Sequence, residues 1–213
     1  MDKQLNVLRD KLLLLGGEAE NALRRAMSSL TERDSDLARV VLRHDDEIDR
    51  LELEIDRLSI DILALNALVA HDLRFVISVA KITPILERIA DHACNIARAA
   101  IQLNDEPQLE NHVDLPQMQR AAAEMLREAL DAFTSNDADY ARRIIARDDA
   151  VDEFYHRTVA DLIEIMANNP NRVQRAARLL FVAKHIERIG DYVTDICELT
   201  VYMTEAAFIK HSN

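Results

Sequence analysis

The chain repeats itself, and the repeat limits what it can fold into. Glu87-Arg88-Ile89-Ala90-Asp91 returns as Glu187-Arg188-Ile189-Gly190-Asp191, and Asp45-Asp46-Glu47-Ile48-Asp49 returns as Asp148-Asp149-Ala150-Val151-Asp152. A displacement of 103 positions also pairs Leu23 with Leu126, Arg24 with Arg127, Thr31 with Thr134, Asp34 with Asp137 and Arg39 with Arg142. The Glu-Arg-Ile motifs align at 100 instead, so the second copy is three residues shorter before its last element. Two copies of one unit, packed together, follow from this.

Three glycines and four prolines in 213 residues leave little to interrupt helices. Apolar residues at helical spacing mark one helix over Leu5–Leu30, with Gly16-Gly17 expected to fray or bend it. A second begins after Asp34 or Ser35, either a suitable cap, and carries Leu37, Val41, Ile48, Leu51, Ile55, Leu58 and Ile62 to about Leu68. Asp72 is the expected cap of a third, which runs to about Leu103 through Pro84, an expected kink. Residues 107–113 form the linker between a first unit (1–106) and a second (114–213). The second unit holds helices over Gln117–Thr134, Asp137–Asn168 and Arg172–Phe208, with Asn171 as a candidate cap of the last. The fold class is all-α: a three-helix bundle used twice, six helices in all.

The composition excludes several classes. Acidic residues outnumber Lys plus Arg by 38 to 26, giving a net charge of −12 that repels nucleic acid and anionic lipid. Asp72 and Arg74 interrupt the most apolar region, so nothing approaches the ~18 apolar residues a membrane span needs. The N-terminus lacks the apolar core of a signal peptide, and Cys94 and Cys197 make no CxxC pattern. Buried free thiols in a cytoplasmic protein are expected.

The acidic residues are ordered. Glu87, Asp91 and Asn95 fall on one face of the third helix, successive members about 40° apart. Ile82, Leu86, Ile89, Ala93, Ile96 and Ala100 cluster nearly opposite, so the acidic face is expected to look outward or into a groove. Glu187, Asp191 and Asp195 repeat the stripe, and Asp45, Asp49, Glu52 and Asp56 form another on the preceding helix. Neighbouring helices can bring two such stripes into one carboxylate cluster, which repels itself unless a proton or cation intervenes. All-oxygen donors suit Mg²⁺, Mn²⁺ or Ca²⁺, with iron also possible. About seven acidic i, i+4 pairs are expected by chance at this composition, so one pair means nothing, and the register between copies carries the signal. Salt bridging by Arg88 and Arg188 is the competing account. His92 and His185 have no counterpart in the other copy and are expected to be ordinary surface residues. No paired Glu-x-x-His set supports an oxygen-activating bundle.

These motifs resemble the PhoU family of phosphate-uptake regulators. The marks are Glu-Arg-Ile-x-Asp in both copies, His185-Ile186-Glu187-Arg188-Ile189-Gly190-Asp191 followed by Ile196-Cys197-Glu198, Ala70-His71-Asp72-Leu73-Arg74, and Asp148-Asp149-Ala150-Val151-Asp152. The resemblance implies two three-helix bundles related by a pseudo-two-fold axis, commonly in a homodimer. It also implies a negative regulator of the phosphate regulon and of phosphate uptake. Such a protein couples the ATPase subunit of the phosphate ABC transporter to a phosphate-sensing histidine kinase and reaches the membrane only through them. Mg, Mn or Fe would bind at paired Glu/Asp-x-x-x-Asp motifs. Carried over, one site takes Asp45, Asp49, Glu87 and Asp91, and the other Asp148, Asp152, Glu187 and Asp191. Asn95 and Asp195 are possible additional donors. Leu68 stands where the family usually has proline, and Asp195 where asparagine is common. A non-enzymatic adaptor is therefore expected. The alternatives are an accessory of a different phosphate permease and, with neither a general acid–base group nor a pocket to favour it, a carboxylate-bridged metalloenzyme.

Overall fold

A computed structural model describes residues 2–109 and 114–209, all helix and turn among the described residues. Helix α1 spans Asp2–Thr31, α2 Ser35–Leu65 and α3 Ala70–Asn104. In the second copy α4 spans Leu115–Ser135, α5 Ala138–Ile145, α6 Asp148–Asn168 and α7 Val173–Glu205, with a 3-10 turn at Pro170–Arg172 before α7. Of the expected linker, 107–109 are seen and 110–113 lie outside the described residues.

The six expected rods are present, with local corrections. Helix α1 runs unbroken through Gly16-Gly17, and Gly16 serves packing, because a Cβ there would overlap the Leu130 side chain of α4. Helix α3 begins at Ala70 after an extended Val69 and does not use Asp72 as its cap. It continues through Pro84, which a long helix packed on three neighbours tolerates at the loss of one backbone hydrogen bond. Asp34 caps α2 as expected, accepting from the N–H groups of Asp36 and Leu37 at 3.0 and 2.9 Å. Asn169 caps the turn before α7, in place of Asn171. Helix α7 ends at Glu205, where Ala206 turns left-handed, short of Phe208.

The fifth rod is broken. At Ala146-Arg147 the backbone keeps near-helical angles but tightens, Arg147 N–H donating to the Ile144 carbonyl at 2.9 Å. No glycine or proline marks the place, so apolar periodicity could not show it.

Contacts run from α1 to α3, α3 to α7, α7 to α4 and α4 to α1, closing a ring of four helices from both copies. Helix α2 lies outside on α1 and α3, and α5 and α6 lie outside on α4 and α7. Helices α3 and α7 are antiparallel: Arg74 Nε donates to the Met203 carbonyl at 3.0 Å, and His92 meets His185 further along. A two-fold rotation near the Arg88–Ile89 and Arg188–Ile189 steps therefore exchanges the copies. The apolar faces of the ring form one continuous core, dominated by Leu, Ile, Ala and Val.

Candidate functional site

In the first copy the fold brings the two acidic stripes together. Helix α2 returns antiparallel to α3, setting Asp45, Asp49 and Glu52 opposite Glu87 and Asp91. Glu87 and Asp45 are half-buried between the helices, and Asp49 and Asp91 stand at the open edge. Burial, then Asp91, Glu52, Asp49 and Asp45, push the Glu87 carboxyl up to about 7. Asp49 is raised as well, first by lost hydration and then by Asp45, Asp91 and Asp46. Glu52 is raised by lost hydration, Asp56 and Asp49. Five carboxylates thus crowd one crevice, and their charge falls on Glu87, Asp49 and Glu52, whose ionisation it opposes. At its inner end the Cys94 thiol donates to Asp45, and burial with that carboxylate raises Cys94 to about 12. Asn95 is partly committed, since its Oδ1 accepts from Arg98 at 2.8 Å.

The second copy keeps the positions and changes the balance. Asp148, whose first-copy counterpart Asp45 is half-buried, is buried, at 5% exposure. Gly190 makes this possible: a Cβ there would sit 2.8 Å from Asp148 Oδ1 and 3.4 Å from Val151 Cγ1, whereas the first copy has Ala90. Gly190→Ala gains roughly 1 kcal/mol of helix propensity but displaces the carboxylate, so a net loss of about 1–2 kcal/mol is expected in thermal unfolding. A variant more stable than the parent would show that Asp148 yields freely. Cys197, fully buried beyond it, is raised to about 12 by burial, then Glu198, Asp148 and Glu128. Both cysteines are free and buried, as expected.

Glu187 and Asp191 are met by cations. Lys184 Nζ donates to both oxygens of Glu187, at 2.7 and 2.6 Å, and Arg188 Nη1 donates to Asp191 at 2.7 Å. Asp152 is half-buried on α6. Asp195, reached by solvent, is raised first by partial loss of hydration, then by Glu198 and Asp191, against the lowering charges of Arg188 and Arg88. Among the described residues no three histidine, cysteine or carboxylate side chains converge into a preformed cation cage.

His92 and His185 are half-buried and not the surface residues expected. Their Nδ1 atoms lie 2.8 Å apart across the α3–α7 interface, with Tyr192 packed against His92, ring centroids 5.6 Å apart. Burial lowers both rings, and His185 and Arg188 help hold His92 down at about 4. At neutral pH both are uncharged, one donating Nδ1–H to the other. The signal missed in the sequence lies in the two-fold: rotation carries His92 onto Tyr192 and His185 onto Ile85, so the two unmatched histidines meet each other. A separate cavity of about 210 Å³ lies where the copies meet, between Leu30, Leu103, Leu115 and Leu179, and includes none of the candidate carboxylates.

The PhoU domain family matches residues 12–100 and 115–200. The chain is 35% identical to a phosphate-specific transport system accessory protein PhoU homolog of Clostridium acetobutylicum, covering 95% of this chain and 93% of that one. It is 34% identical to the homolog of the same description from Aquifex aeolicus, over 99% and 96%. Its fold is similar to the crystal structure of PhoU from Pseudomonas aeruginosa, with a TM-score of 0.93 at 35% identity over 97% of this chain and 99% of that one. It is also similar to the phosphate transport system regulatory protein PhoU from Streptococcus pneumoniae, with a TM-score of 0.89 at 29% identity over 99% of each chain. With two matched domains and relatives aligned nearly end to end, this chain belongs to the PhoU family.

Proposed function

We propose that the protein is a cytoplasmic negative regulator of the phosphate regulon and of phosphate uptake. It acts as a metal-binding adaptor between the ATPase subunit of a phosphate ABC transporter and a phosphate-sensing histidine kinase. The observation that carries this reading is end-to-end likeness, in sequence and fold, to accessory proteins of phosphate-specific transport. No helix among the described residues is long and apolar enough to cross a membrane, so on this reading it meets its partners through protein contacts.

The first-copy crevice supports the metal clause by its donor chemistry. Asp45, Asp49, Glu87 and Asp91 would hold a hard cation such as Mg²⁺ or Mn²⁺, or iron, with Glu52 beside them. The ion would supply the positive charge this crowded set lacks, and Glu87 would give up its proton on binding. The chain's own part is to hold two rigid helices at a fixed separation. A rigid helical surface that a bound ion can tighten suits an adaptor.

The test is phosphatase-reporter activity of the phosphate regulon in cells deleted for this chain and grown in abundant phosphate. High activity, returned to low by the wild-type protein, is the expected result. Activity that stays low in the deletion strain would overturn the regulatory reading and favour an accessory of another permease.

A further inference from the structure

The two acidic sites of this chain are not two copies of one site: they differ in charge and in the partners their carboxylates already have. The two-fold makes the comparison position by position. Glu52 and Asp56 of α2 correspond to Tyr155 and Val159 of α6, so two carboxylates of the first stripe are absent from the second. Pro84 corresponds to Lys184, which introduces an ammonium group, and His92 corresponds to Tyr192. The exchanges work together. Lys184 Nζ lies 5.3 Å from the centre of the Tyr155 ring while both Glu187 oxygens accept from it. Arg188 lies 5.2 Å from the centre of the Tyr192 ring while it donates to Asp191. Each cation is thus held between an aromatic face and a carboxylate. The phenol rings are present only in the second copy.

The Glu187 side chain is 13% exposed, against 43% for Lys184, so the ion pair is anchored at its carboxylate end in a largely dehydrated place. A carboxylate removed from water needs a partner. An ion arriving at the second site would have to displace one already bonded to both oxygens.

We infer that Lys184 is a built-in cation that takes the place of a metal ion in the second copy, so that metal uptake by this chain is confined to the first. The side chain is tethered three residues before Glu187 on the same helix, which places one positive charge at the carboxylate whatever the metal concentration. One half of the molecule then answers to metal, and the other holds its form without it. This inference rests on the metal-binding reading of the first copy only for where the wild-type ions sit.

The experiment is equilibrium dialysis of the full chain against Mn²⁺, with free ion counted by its paramagnetic resonance signal. Lys184→Met keeps the aliphatic stem on Tyr155 and removes the charge. It should bind about one more Mn²⁺ per chain than the wild type, and the gain should vanish when Glu187→Gln is added. Lys184→Gln, which still offers Glu187 an N–H donor, should give the same gain and guards against a folding defect in the first variant, checked by helical circular dichroism. Equal stoichiometry in the wild type and both Lys184 variants overturns the inference. So does wild-type binding that Glu187→Gln reduces. If the wild type takes up no Mn²⁺ and Lys184→Met does, the inference stands and the metal clause for the first copy falls. If Glu87→Gln abolishes wild-type uptake and the Lys184 variants gain nothing, the reverse holds.

Discussion

Phe133→Ala should destabilise the whole protein by about 3–5 kcal/mol, in a single transition. Phe133 is 1% exposed near the end of α4, and its ring stacks on Phe75 of α3 with centroids 5.8 Å apart at 25°. Arg9 of α1 covers the other ring, 5.1 Å from its centre. The stack therefore ties helices of both copies together in the ring, and it lies in one continuous core. Truncation removes the transfer energy of the ring and leaves a cavity that rigid helices cannot close. The aromatic pair contributes roughly another 0.5–1.5 kcal/mol beyond buried area. A convenient probe exists, because all four tyrosines (Tyr140, Tyr155, Tyr192 and Tyr202) lie in the second copy and tryptophan is absent. Tyrosine fluorescence then follows the second copy, while circular dichroism follows both. In urea the two signals should coincide and shift together in the variant. Separate transitions would mean that the copies are independent domains and that the ring does not bind them.

Glu87→Gln should remove a pH dependence. In the metal-free protein Glu87 keeps its proton up to about 7, while in the unfolded chain it ionises near its usual 4.5. The neutral form is favoured by the fold, so its contribution is fully present below the unfolded value and is lost as pH rises through about 7. Wild-type stability in chelator should therefore fall between about pH 4.5 and 7 relative to the glutamine variant. The unscreened shift corresponds to about 3 kcal/mol, and solvent at this half-open crevice reduces it to about 1–2 kcal/mol. At roughly 2–4 °C per kcal/mol for a chain of this size, the variant should melt a few degrees higher at pH 8. Addition of Mn²⁺ at pH 8 should raise the melting temperature of the wild type and do little for the variant. Parallel melting curves across this pH range would show that Glu87 is not the strained member of the set.

The duplication, the helix type and the facing of the first acidic stripes were legible because each leaves a periodic trace. Spacing shows only that antiparallel neighbours can bring the two stripes together, and the choice of Asp45, Asp49, Glu87 and Asp91 as one set comes from the family resemblance. The second site was not legible to the same degree. Its character depends on the contacts of Lys184, Tyr155 and Gly190, which the repeat alone does not record. The burial of Asp148 follows from the missing Cβ at Gly190 and has no signature in α6 itself. The break before Asp148 leaves no mark in the sequence for a related reason: tightening by one residue needs no special side chain. The His92–His185 contact depends on where the two-fold axis cuts α3 and α7, which no local pattern records.

The closed ring of four helices has a consequence for how such a molecule can change. Each copy presents to the other the surface it needs in return, so a half-length ancestor would have been complete only as a pair of identical chains. In such a pair every substitution appears twice, and a lysine at one acidic site would be a lysine at both. Joining the copies end to end lifts that rule. One covalent chain can then keep one site hungry for charge and satisfy the other from within, a division of labour that identical subunits cannot reach.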